Sequence, residues 1–165
     1  MDFLLRIEES GFSQWVREAD SLFAFPGILL LHTIGMGLVV GINATFDIRV
    51  LGFAPSVRLR AIEKFFPVMW IGFWINAITG AILLGVNATK LTHNPDFYAK
   101  LAFIALAVIN LKVLQRQVFR NDETGPPLAL SGITKVLAVT SLIFWLGAIT
   151  CGRLLAYVGR SSGLH

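Results

Sequence analysis

Residues 22–42 read LFAFPGILLLHTIGMGLVVGI, an apolar run broken only by His32 and Thr33. A helix rises 1.5 Å per residue, so about 20 residues cross a hydrocarbon core about 30 Å thick. Three further runs of similar length follow, at about residues 65–86, 97–118 and 136–158. The four runs predict an all-α fold, an integral membrane four-helix up-down bundle that occupies residues 1–165 as a single transmembrane domain.

The composition supports this class of protein. The chain of 165 residues is 55% hydrophobic and 15% charged, and its mean hydropathy is +0.70. Soluble domains carry about 45 to 50% apolar and about 25% charged residues. A cytosolic globule, a disordered tail and a nucleic-acid-binding protein are therefore excluded, and the lipid bilayer is the expected partner. Cys151 is the single cysteine, which excludes an internal disulfide and a multi-cysteine metal site.

The segment before the first run predicts an additional short helix. Over residues 10–20, Phe12, Trp15, Val16 and Ala19 recur at a spacing of three or four. That pattern predicts an N-terminal interfacial helix lying at the membrane surface. No glycine-rich phosphate loop, HExxH helix or GxSxG elbow occurs in the chain, so no catalytic residue can be assigned.

Orientation follows from the basic residues, because Lys and Arg are retained on the cytoplasmic side. The connections 1–2 and 3–4 with their flanks hold eight, against six on the other side; the eight are Arg49, Arg58, Arg60, Lys64, Lys112, Arg116, Arg120 and Lys135. We therefore expect a bacterial inner-membrane protein with both termini in the periplasm.

Two features near residue 45 predict that the first span has ended by then. Gly-x-Asn-Ala-Thr occurs at residues 41–45 and again at 85–89, each time where an apolar run stops, and it indicates a helix end. Asp47 and Arg49 would then lie in the cytoplasmic loop, where we expect them to pair.

Small and polar residues mark the packed faces of membrane helices. The clearest stripe lies on the second span, where the residues recur every three or four positions: Met69, Gly72, Asn76, Gly80, Leu83 and Asn87. Gly37 and Gly41 form a GxxxG pair on the first span, which permits a homo-oligomer through glycine-rich faces.

Depth along the helices selects a candidate site. His32 and Asn76 each lie about ten residues, or roughly 15 Å, from an edge of their span, near the midplane. Lys100 and Arg153 lie roughly 5 to 8 Å from the periplasmic boundary. His32 is either a buried imidazole bonded to Asn76 or a ligand to a metal or haem iron. Lys100 and Arg153 either snorkel or pair with Asp20 or Asp96, or they bind an anion such as the haem propionates.

One haem b fits this spacing, because its propionates would reach from the midplane toward the basic pair. A second intramembrane histidine is missing, since His93 falls in a loop and His165 ends the chain. The iron would be five-coordinate, or it would need a second ligand such as Met36, Met69 or Lys100. Met36 is one turn from His32 on the same helix, so it could not bind opposite the histidine.

Two stretches also carry a family resemblance. Leu31-His32-Thr33-Ile34-Gly35, with Asp47-Ile48-Arg49-Val50-Leu51-Gly52, resembles a family of small four-span bacterial membrane proteins. Residues 60–64 and 94–101, which read RAIEK and NPDFYAKL, resemble more distantly the CopD-like and HemJ-type membrane proteins. HemJ-type proteins are four-span haem-binding oxidases, and the resemblance matches their first-span histidine and third-span lysine to His32 and Lys100. The CopD-like resemblance implies copper uptake instead.

Three hypotheses follow. The first is a redox protein that holds haem b through His32, with Asn76, Lys100 and Arg153 around the cofactor, and exchanges electrons with a quinone or a periplasmic partner. The second is a non-catalytic subunit or oligomeric scaffold in which His32 is structural. The third is a transporter of copper or another small solute, with His32, Met36 and Met69 as metal contacts.

Overall fold

A computed structural model describes residues 2–19, 21–122 and 132–161 of the chain. Within these ranges the regular structure is helical, with no strand. The helices are α1 (Asp2–Glu8), α2 (Gly11–Glu18), α3 (Phe25–Val50), α4 (Leu59–Glu63), α5 (Phe66–Val86), α6 (Ala88–Thr92), α7 (Pro95–Asp122) and α8 (Gly132–Ser161). The all-α prediction is therefore confirmed.

Four helical segments are long and apolar enough to cross a membrane: Phe25–Val50, Leu59–Val86, Pro95–Phe119 and Gly132–Leu155. They form two closely packed pairs, α3 with α5 and α7 with α8, which join along α3 and α8. The α4 end of the bundle carries the α3–α4 connection, and the α6 end carries α1, α2 and α6. The chain is a multi-pass membrane protein.

The outer surface of the bundle suits contact with lipid. Ile71, Trp74 and Ile78 recur along one face of α5, and each is 58–62% exposed. Large apolar side chains in this position are costly in water and favourable in a hydrocarbon environment.

Glycines set the close approach of α3 to α5. A Cβ added at Gly35 would lie 2.7 Å from the carbonyl oxygen of Gly72 and 2.8 Å from the backbone nitrogen of Asn76. Only a residue without a side chain permits this separation. Met69 and Gly72 are buried, as the stripe on the second span predicts.

Aromatic contacts close the bundle at the α4 end. The rings of Phe46, Phe66 and Phe119 pack with centroids 5.3 to 6.2 Å apart. One turn further in, the ammonium of Lys112 lies 4.4 Å from the ring centroid of Trp70. These contacts bring α5 and α7 together at this end.

The structure corrects the predicted end of the first span. Helix α3 continues through Gly41–Thr45 to Val50, so this copy of Gly-x-Asn-Ala-Thr is not a helix stop. Asp47 is fully buried inside the bundle, while Arg49 donates to the loop carbonyls of Pro55 and Val57. The predicted Asp47–Arg49 pair is therefore wrong.

The N-terminal segment forms two helices, of which α2 lies within the predicted interval 10–20. Val16 is buried against Ile28 of α3 and Val86 of α5, while Phe12 and Trp15 are exposed. Val16 therefore faces the protein, because α2 docks on the α6 end of the bundle. Asp20 and His165 lie outside the described residues.

Candidate functional site

His32 is buried on α3, and its ring orientation is fixed by α5. Its Nδ1 lies 3.0 Å from the carbonyl oxygen of Asn76 and 3.0 Å from Oγ1 of Thr79. The Thr79 hydroxyl donates to the carbonyl of Ile75 at 2.6 Å, so its oxygen can accept from the ring. A carbonyl oxygen only accepts, so Nδ1 carries the proton. In the neutral ring Nε2 then presents a lone pair, the arrangement found in metal-ligating histidines.

Asn76 completes a reciprocal clamp between α3 and α5. Its Nδ2 donates to the backbone carbonyl of His32 at 2.7 Å, while its own carbonyl accepts from the His32 ring. The ring lies against Gly80, where an added Cβ would stand 3.1 Å from Cε1 of His32. Gly80 therefore leaves the space that the imidazole occupies.

A cavity of about 340 Å³ opens between α5 and α7 on the α6 side of these residues. His32, Asn76 and Lys100 supply its polar groups, and the apolar lining includes Phe73, Leu84, Phe97, Leu101 and Ile104. Ala77 and Ala81, which also line it, are exposed on the bundle surface. We call this space the lateral cavity, because it opens toward lipid.

Lys100 extends from α7 across the lateral cavity toward α8. Its Nζ and Cε each lie 3.6 Å from the position of a Cβ at Gly152. The side chain is half-buried. Within the part of the chain that the structure describes, its ammonium has no hydrogen-bond acceptor or carboxylate partner. Neither pairing with Asp96 nor full exposure at the surface accounts for this position.

A smaller cavity of about 20 Å³ adjoins the lateral cavity inside the bundle. The two share Phe73, Asn76, Lys100 and Ile104 as lining, and Trp145 of α8 lines the smaller one. The indole Nε1 of Trp145 is buried without an acceptor. A volume of this size accommodates one water molecule.

Three of the four predicted site residues come together. His32, Asn76 and Lys100 line one cavity. Arg153 is exposed on α8 and is absent from the lining of both cavities. Of the candidate sulfur ligands, Met36 lines the smaller cavity, whereas Met69 is buried in the main hydrophobic core.

Haem is compatible with the chemistry of this lining. The anchored imidazole offers Nε2 as an axial ligand, Lys100 offers a positive charge for a carboxylate, and the other side chains are mostly apolar. The volume lies near the lower end of the roughly 300–1,000 Å³ of small-molecule sites. A larger ligand would therefore extend through the opening toward lipid. No group of three or more His, Cys, Asp or Glu side chains is placed to hold a metal among the described residues.

Sequence reasoning did not find the second polar cluster of the bundle. Asn43 and Asp47 of α3 and Ser141 of α8 are fully buried together near the α4 end. The only sequence signal for this cluster was the four-residue spacing of Asn43 and Asp47, which places them on one face of a helix. The predicted helix end at residues 41–45 placed Asp47 in a loop, so this spacing was not used.

Comparisons with protein-family models, curated proteins and solved structures find no match to this chain. The resemblances to CopD-like and HemJ-type proteins therefore stay predictions, and the fold and the two polar clusters carry the functional argument.

Proposed function

We propose that this membrane protein binds one haem b in the lateral cavity, with Nε2 of His32 as the axial ligand, and acts in electron transfer. The observation that carries the proposal is the hydrogen bond from Nδ1 of His32 to the Asn76 carbonyl, which leaves the lone pair of the neutral ring on Nε2. Lys100, whose ammonium has no acceptor among the described residues, lines the same cavity as His32. A bound haem supplies one-electron redox chemistry at its iron.

Different residues of the chain would hold different parts of such a cofactor. Asn76 and Thr79 orient the imidazole and select its tautomer, which raises its basicity as a ligand. Lys100 offers a charge-assisted bond to a propionate. The apolar side chains from α5 and α7 keep water from the ligand. Arg153 has no direct contact with the lateral cavity, so Lys100 is the cation that we assign to the propionates.

The cellular setting is part of the same proposal. We propose the bacterial inner membrane, with both termini in the periplasm, from the excess of basic residues at the α4 end. The lateral cavity then lies in the periplasmic half of the bilayer. A quinone dissolved in lipid, or a periplasmic redox protein, is the electron-exchange partner that this position suits.

The experiment begins with protein purified in mild detergent from a haem-sufficient host. Oxidised and dithionite-reduced absorbance spectra, with a pyridine haemochrome assay, should give a Soret band at one haem per chain. His32→Ala should abolish the band while the protein still elutes as a folded species. The matched control is His93→Ala, because His93 is exposed at the end of α6 and bonds only the Thr89 carbonyl. A featureless wild-type spectrum would rule out haem.

A substitution of Lys100 provides a second test, in which haem binding should be weakened and not abolished. Lys100→Met should retain the Soret band and weaken the retention of haem during dilution, because the propionate loses its cation. Lys112→Met on the same helix is the control, since Lys112 lies over Trp70 away from the lateral cavity. Equal haem retention in both variants would remove Lys100 from the proposal.

A structural role for His32 is the second candidate, and the reciprocal clamp favours it. His32 and Asn76 exchange two hydrogen bonds beside the tight contact of Gly35 with Gly72. In this case the protein is a subunit or scaffold of a membrane complex. Colourless wild-type protein, with thermal stability lowered in His32→Ala, would favour it. Elemental analysis of the same sample tests copper, the third hypothesis.

A further inference from the structure

The Asn43 amide lies at the centre of a buried polar cluster that the proposed haem site does not use. Asn43 Nδ2 donates to Oδ2 of Asp47 at 2.6 Å and to Oγ of Ser141 at 2.8 Å. All three residues are 0% exposed. Both amide hydrogens of Asn43 are therefore committed, one within α3 and one across to α8.

Two oxygens of this cluster have no donor. Oδ1 of Asp47 and Oδ1 of Asn43 are buried and have no hydrogen-bond partner in the part of the chain that the structure describes. A buried carboxylate needs its charge compensated, and a buried acceptor needs a donor or a cation. An ionised Asp47 would therefore leave the cluster with one uncompensated negative charge.

Among the side chains that the structure describes, the helices around α3 bring no cation to Asp47. Helix α5 has no ionisable residue between Phe66 and Val86. The ionisable groups of α4 and of the near half of α8 are exposed, namely Arg60, Glu63 and Lys135. On α3 itself, Arg49 is bonded to loop carbonyls. On α7, Lys112 lies over Trp70 and Arg116 is exposed. Oδ1 of Asp47 has none of these groups as a partner.

We propose that Asn43, Asp47 and Ser141 form a binding site for one monovalent cation, either a proton or Na⁺. The site offers a single carboxylate, so one unit of positive charge makes it neutral. Its ligand atoms are all oxygens, which suit hard cations and exclude soft ones. A divalent ion would leave a net positive charge among apolar side chains. A proton and Na⁺ therefore share the chemistry that the site demands.

Asp47 lies near the α4 end of the bundle. It lies three residues before the end of α3, or about 4.5 Å of helix rise from the α4 end. The cation would enter from the aqueous side at that end. His32 lies 15 residues before Asp47, about 22 Å away along the helix, so this site and the lateral cavity can be tested separately.

The experiment has two arms on purified wild-type protein and Asp47→Asn. The first follows the thermal unfolding temperature as NaCl replaces choline chloride at constant ionic strength. Binding to the folded state raises this temperature with concentration, so a Na⁺ site predicts a rise in the wild type and none in Asp47→Asn. The second arm records the infrared carbonyl band of a protonated carboxyl group at neutral pH, where an ordinary aspartate, with a pKa of about 3.9, is ionised. A proton site predicts a band that Asp47→Asn removes.

Two further variants keep the outcome decisive if Asp47→Asn does not fold. Ser141→Ala keeps the carboxylate and removes one oxygen of the site. If the site binds Na⁺, this variant should need a severalfold higher Na⁺ concentration for the same rise in unfolding temperature. If the site binds a proton, the carboxyl band should shift. Asp96→Asn removes a carboxylate from the start of α7, outside the cluster, and should change neither readout. An ionised Asp47 at neutral pH together with an unfolding temperature indifferent to Na⁺ would overturn the proposal.

Discussion

The space between α5 and α7 differs at its two ends. At the α4 end, Phe66 and Phe119 meet with ring centroids 6.2 Å apart, and Lys112 covers Trp70. At the α6 end the same two helices are separated by the lateral cavity of about 340 Å³. Large aromatic side chains fill the gap at one end, whereas Gly80, Ala77 and Ala81 leave it open at the other.

The polar groups of the two ends differ in the same way. His32 and Lys100 line a cavity that opens at the bundle surface, so a large ligand can reach them. Asn43, Asp47 and Ser141 are each 0% exposed, so a large ligand cannot reach them unless the helices move apart. The size of the ligand that each region admits is therefore set by the apolar packing around it.

The largest expected effect comes from breaking the α3–α5 contact on which the His32 clamp depends. Gly35→Ala places a Cβ 2.7 Å from the Gly72 carbonyl oxygen, and overpacking of this kind costs about 1 to 3 kcal/mol. We expect a clear fall in thermal stability. Gly37→Ala is the control, because a Cβ there meets no atom within 4 Å. Equal stability of the two variants would contradict the tight packing of α3 on α5.

A loss of similar size is expected at the sealed end. Asn43→Leu removes the donor that serves Asp47 and Ser141, and stranding buried polar partners costs about 1 to 3 kcal/mol. Thr45→Val on the same helix is the control, since its exposed hydroxyl bonds only the Gly41 carbonyl. Urea or thermal unfolding in detergent measures both. An Asn43→Leu protein as stable as Thr45→Val would show that the cluster contributes little to the fold.

A third substitution tests the open end with little effect on stability. Ala77→Trp places a large ring at the exposed edge of the lateral cavity, where it should block ligand entry. We expect haem occupancy to fall while the unfolding temperature stays near that of the wild type. The comparison variant is Ile78→Trp, one residue along on the exposed face. Unchanged occupancy in Ala77→Trp would place the ligand elsewhere.

The sequence predicted the spans because apolar runs of this length have few other structures available. We selected His32, Asn76 and Lys100 as candidate site residues from their depth in the membrane, because the rise per residue fixes how far each lies along its span. Depth does not fix which face of a helix a residue occupies, and for this reason Arg153 was predicted to join a cavity that it does not line.

Asp47 shows the other limit of sequence reasoning. Its burial depends on Ser141, which bonds Asn43 across 98 residues of chain. Residues 43–47 read NATFD, which locally resembles the end of a membrane span. The packing of α8 on α3 makes these polar groups internal, and no local pattern encodes that contact. Helix α1 was missed because seven residues carry little periodic signal.

The smallest expected effect concerns pH at the α6 end, where α1 and α2 dock on the bundle. The Thr89 hydroxyl and amide donate to the Glu8 carboxylate at 2.6 and 3.1 Å, and Arg17 lies 3.6 Å from it. The Thr89 side-chain bond is the main cause that lowers the pKa of Glu8 below its ordinary 4.5, against an opposing effect of burial. A lowered pKa stabilises the folded state above pH 4.5 and loses that contribution as the pH falls through the folded value.

Hydrogen exchange of residues 2–18 measures this docking directly. Protection should be constant near neutrality and decline as the pH falls below about 4.5, after correction for the intrinsic exchange rate. Glu8→Gln should reduce protection already at neutral pH, by about 1 kcal/mol or less, and remove the acidic decline. Glu9→Gln, on the exposed neighbour, should behave as the wild type. If protection in Glu8→Gln still declined with acid, another carboxyl group would control the docking, and the α6 end would be held by Val16 and its apolar partners rather than by charge.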